Sequence, residues 1–154
     1  MYLLILAVHS LLRWVVLAFG LLAAGRGLTG ARSRGEWTPA DETAGRWFVM
    51  ALDVQLLLGL ALYLRLSPMT PIAFQDFGAA MGNAVLRFWA AEHIAGMVAA
   101  VALAHIGRVR IRRAADAARR HRTAALFFGL ALVAIVVTIP WPGMPAARPL
   151  LPIP

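Results

Sequence analysis

Residues 2–24 read YLLILAVHSLLRWVVLAFGLLAA, and only His9, Ser10 and Arg13 interrupt the apolar and aromatic side chains. A helix crossing the hydrocarbon core of a bilayer needs about 20 mostly apolar residues, so this run predicts a transmembrane helix. Three further runs of the same kind lie at 46–64, 85–106 and 123–139. The expected fold is all-α: a single domain over 1–154, built as a four-helix transmembrane bundle. The first run has no positive flank ahead of it and carries His9 and Arg13 within it. It is therefore expected to be a retained helix and not a cleaved signal peptide.

The composition agrees. Hydrophobic residues make up 61% of the 154 and charged residues 14%, with mean hydropathy +0.74. Soluble domains lie nearer ~45–50% and ~25%, and a chain this short cannot bury such an excess in a core of its own. The net charge of +8 comes from fifteen basic residues, all arginine. They sit in short connections between apolar runs, which points to the membrane surface and not to nucleic acid. With no cysteine, disulfides, iron–sulfur clusters and thiol chemistry are excluded.

Orientation follows from the same arginines. Eleven flank the first and third connections (Arg26, Arg32, Arg34, Arg46, then Arg108 to Arg122), against three at the second connection and the tail. Positive loops stay inside, so both termini are expected outside the cytoplasm, in a multi-pass protein of a bacterial inner membrane. The second connection, 67–83, has prolines and phenylalanines suited to an ordered cap. The tail PWPG from Pro140 onward has too many prolines for a helix. Trp141 is expected at headgroup level.

Ionisable side chains inside a span are costly and mark candidate sites. Counting 1.5 Å per residue, His9 lies roughly 10 Å from the start of the first span and His93 roughly 12 Å from the start of the third. The two histidines therefore share a level. That level admits one haem b with His9 and His93 as axial metal ligands, Arg87 toward its propionates and Trp89 one turn from His93. Gly96 and Ala100 leave small residues on the same face. Two histidines hydrogen-bonded within the bundle, or a transition-metal site, account for the same spacing. Arg13 and Asp53 also share a level and are expected to pair, most simply as a structural bridge. Glu92 points about 100° from His93 on the helix. His105 is expected to be a satisfied helix-end residue and His121 an interfacial one. No nucleophile motif, phosphate loop or zinc signature is present.

Several segments resemble a family of small four-helix bacterial membrane proteins described as cytochrome b-like. They are HSLLRW at 9–14, QLLLGLALY at 55–63, VLRFWAAEH at 85–93, IGRVRIRRA at 106–114, HRTAALFF at 121–128 and IPWP at 139–142. The resemblance touches all four spans. It implies that His9, His93 and His121 are the family's histidines, and that the family has a further histidine where this chain has Asp53. The expected function is thus a haem b electron carrier or small subunit of a respiratory complex rather than a stand-alone enzyme. It would exchange electrons with quinol or other membrane redox subunits, and a homo-oligomer suits its small size. The competing expectation is a non-redox structural or accessory membrane protein. A small transporter is a third, with four helices making a thin pathway.

Overall fold

A computed structural model describes residues 1–151. Helix α1 is Tyr2–Ser33 and α2 is Pro39–Ala61, continued by a π-helical turn at Leu62–Leu66. Short α3 (Met69–Gln75) and α4 (Phe77–Gly82) form the second connection as an ordered cap. Then come α5 (Ala84–Arg87), a second π turn at Phe88–Glu92, α6 (His93–Arg113) and α7 (Ala117–Thr138). The four continuous helices Tyr2–Ser33, Pro39–Leu66, Ala84–Arg113 and Ala117–Thr138 are each long and apolar enough to cross a membrane. The chain is a multi-pass membrane protein.

All four helices run past the apolar stretches that announce them, because helix continues until something stops it. α1 stops where Arg34 adopts a left-handed conformation with φ 54°. α2 starts at a capping box: Thr38 accepts from the Asp41 amide, Asp41 accepts from the Thr38 amide, and Pro39 takes the first turn. α7 starts on Asp116, whose Oδ1 accepts from the Arg119 amide at 2.7 Å, leaving only three residues between α6 and α7. Thr38→Ala removes a cap that also accepts from Arg26 Nη2. It is expected to destabilise by about 1 kcal/mol, read as a lower melting temperature in detergent.

In the bundle α7 packs closely on both α1 and α6, α2 packs on α1, and the α2–α6 seam is looser. α1 and α6 lie on the diagonal. Lipid supplies no hydrophobic drive between helices, so close approach of small residues holds them. Gly27 sits against the Ala124–Ala125 backbone, Gly107 against Phe127 and Gly20 against Phe48. The centre is the edge-to-face pair Phe48–Phe128 at 5.6 Å, both fully buried. At the arginine-rich end, Arg26 pairs with Asp41 at 2.8 Å and Arg108 with Glu42 at 2.6 Å.

The fourth helix ends early. The Gly27–Ala125 and Gly30–His121 contacts set an antiparallel register that puts Thr138 opposite Trp14. α1 continues from there to Tyr2, roughly 18 Å further. The tail fills this gap as a proline-rich loop, closed by the Arg148 amide donating to Pro140 O at 3.1 Å. Trp141 accordingly packs edge-on to Trp14 at 6.4 Å, partway along α1 and away from its end. Non-helical backbone beside a span is tolerated where protein buries it or it lines a cavity. Here it does both.

Candidate functional site

The gap beyond α7 holds a cavity with about 110 Å³ of clear interior, within about 1150 Å³ of empty space that reaches an open mouth. His9 and Arg13 of α1, Gln55 and Gly59 of α2, and Trp89 and His93 of the third span all line it. So does Arg148 of the tail. Both π turns border it, through Leu62 and Tyr63 on one side and Trp89 on the other. Such wide turns recur at functional sites. The Tyr63 hydroxyl joins them by donating to Ala90 O at 2.7 Å.

His9 and His93 meet across the diagonal of the bundle, with ring centroids 6.3 Å apart and planes at 71°. His93 Nδ1 lies 2.7 Å from Thr138 O. A carbonyl only accepts, so Nδ1 carries the hydrogen and Nε2 presents its lone pair. That carbonyl is one of those left without an intrahelical partner at the end of α7, so the early stop of the fourth helix orients the ring. Gly96 makes the approach possible: a Cβ there would collide with the Thr138 side chain. The small-residue face below His93 is therefore filled by α7 rather than left open for a ligand. His9 is set by α2 instead. Gln55 Nε2 donates to His9 O at 3.0 Å, and a Cβ at Gly59 would stand 3.1 Å from the ring. His9 Nδ1 is buried without a partner.

Of the remaining expected residues, Trp89 stays at the cavity and the others fall elsewhere. Trp89 stacks edge-on to His93 at 5.6 Å and lines the cavity. Arg87 does not line it; its Nε pairs with Glu92 at 2.6 Å and its Nη1 donates to Met81 O at 3.1 Å. The five-residue π turn between Arg87 and His93 changes the helical phase that spacing assumed. The arginine that does line the cavity is Arg148, with its guanidinium over Trp89 at 5.2 Å. A tail residue 55 positions from His93 gave no sequence signal.

The expected Arg13–Asp53 bridge does not form. Asp53 precedes Gln55 by two residues, about 200° round the helix; with Gln55 facing α1, Asp53 faces α6. It accepts from His105 Nε2 at 2.8 Å. Arg13, almost fully buried, donates to Leu150 O at 2.6 Å instead. His121 lies at the arginine-rich end of α7, yet inside the bundle, 2% exposed. Its ring fills a notch at Gly30 and packs on Trp37 at 5.0 Å, and Nε2 donates to Glu36 O at 3.2 Å. Among the described residues no three of His, Cys, Asp or Glu converge enough to hold a metal ion by themselves. No protein-family model, curated protein or solved structure matches this chain.

Proposed function

We propose that the His9–His93 cavity holds one b-type haem and that the protein carries electrons in the membrane. The observation that supports this most is the imidazole pair. Two imidazoles on opposite sides of one metal, at bonds of about 2 Å each, keep their centroids roughly 6 Å apart. The rings of His9 and His93 are 6.3 Å apart and come from diagonal helices. His93 Nδ1 is committed to a backbone carbonyl, the outer-shell bond that fixes the tautomer of a ligating histidine, and His9 keeps a buried nitrogen unspent. The donor set fits an iron porphyrin.

Bound there, the haem would supply a one-electron couple. The chain's part would be to ligate through His9 and His93, with the Arg148 and Arg13 guanidiniums of the lining offering positive charge to its carboxylates. With the arginine-rich end in the cytoplasm, the site lies toward the outer face of a bacterial inner membrane, within reach of quinol or a membrane redox partner. This reading accords with the resemblance to cytochrome b-like proteins.

One observation favours a second reading. The cavity lining is mostly apolar and His93 Nε2 stands in it as an acceptor, a combination that suits the ring and hydroxyl of a quinol. A pyridine haemochrome assay on protein purified from haem-replete cells separates the two. The proposal expects one haem b per chain. Protein without haem, carrying extractable quinone, overturns it in favour of the second reading.

A further inference from the structure

Asp53 and His105 are the polar pair that the cavity does not use, and they lie on the outside of the bundle. Their side chains are 42% and 51% exposed. Asp53 is seven residues, roughly 10 Å, beyond Arg46 along α2 and roughly 20 Å before Leu66. One turn to either side the helix shows Met50 and Leu57, and α6 shows Val98, all exposed apolar side chains. Asp53 is therefore ringed by apolar side chains, while His105 lies between them and an open groove lined by Arg110, Arg113, Arg119 and Arg122. Ionisable groups at such depth face protein or a water-filled cavity, because lipid tails cannot hydrogen-bond them. The pair is also half satisfied: among the described residues, Asp53 Oδ2 and His105 Nδ1 have no hydrogen-bond partner.

We infer that the α2–α6 face is a homodimer interface, covered by the same face of a second copy. The patch is self-complementary, as a two-fold contact requires. Each copy offers one free carboxylate oxygen and one free ring nitrogen, side by side. In a membrane the two-fold axis runs along the bilayer normal, so both copies bring the pair to the same depth. With His105 as an imidazolium, both ring nitrogens donate: Nε2 to its own Asp53 and Nδ1 to Asp53 Oδ2 of the other copy, closing a four-membered ionic cluster beside Met50, Leu57 and Val98. An apolar partner helix would leave both free atoms unpaired, and a neighbouring phospholipid has no donor at this level.

The chain has no cysteine, so single-cysteine variants report proximity without background. Leu57→Cys and Met50→Cys, oxidised in native membranes, are expected to form a disulfide-linked species of twice the 16.6 kDa chain. Val133→Cys, exposed on α7 across the bundle, is expected to stay monomeric. Adding Asp53→Leu with His105→Leu to Leu57→Cys removes both groups without stranding either, and should cut the cross-linked fraction by about tenfold. A monomeric Leu57→Cys, equal cross-linking at Val133→Cys, or a product with a different protein would each overturn the inference. So would undiminished cross-linking in the triple variant.

Discussion

His93→Gln is expected to abolish the low-spin bis-histidine haem spectrum that we propose for this protein, while leaving the fold intact. Glutamine keeps a donor for Thr138 O and much of the ring's volume, so α6 and α7 stay joined. What it loses is the imidazole lone pair aimed across the diagonal. His9→Ala, removing the other ring, should likewise leave a five-coordinate high-spin species or no haem. His105→Ala and His121→Ala should retain the spectrum, because His105 lies on the α2–α6 surface and His121 fills the Gly30 notch. His121→Ala still lowers the melting temperature, since it empties a fully buried site. Absorbance and EPR of the four variants, at matched haem supply, check this pattern. A spectrum unchanged in His93→Gln would place any haem elsewhere.

Gly96→Ala is expected to be the most damaging small substitution. The new methyl meets the side chain of Thr138, which is β-branched and pinned by its own hydroxyl donating to Ala134 O at 2.6 Å. It cannot swing aside cheaply, so α6 and α7 must separate. Overpacking of this kind costs about 2–3 kcal/mol, and separation also takes Thr138 O away from His93 Nδ1. Both thermal stability in detergent and haem retention should fall. Thr138→Gly removes the obstructing atoms and leaves the carbonyl in place, so it should recover much of both losses when combined with Gly96→Ala. Additive losses in that double variant would mean the two residues are not coupled through contact.

The four spans were legible because lipid demands long apolar runs, a signal that needs no tertiary context. The ends were less so. TPAD at 38–41 carries a readable capping box, yet hydropathy alone starts α2 at Arg46 because it counts apolar residues and ignores caps. The common level of His9 and His93 followed from counting turns, which works while the helix keeps its regular pitch. Counting failed at Arg87, across the Phe88–Glu92 π turn. It failed for Arg13 and Asp53 because equal depth says nothing of rotation: the two-residue step from Gln55 turns Asp53 to α6. Arg148 and the Thr138 carbonyl were invisible for another reason. Both reach the cavity only because α7 stops short and the tail doubles back, a tertiary fact without a local pattern.

The most direct test of the paired-histidine site is the reduced-minus-oxidised absorbance spectrum of the wild-type protein, purified in mild detergent from haem-replete cells. The proposed site predicts a Soret shift and a sharp α-band of a low-spin b-type haem, in proportion to the chain. A preparation with neither band would contradict it, leaving His9 and His93 as contacts within the bundle or donors to a smaller ligand.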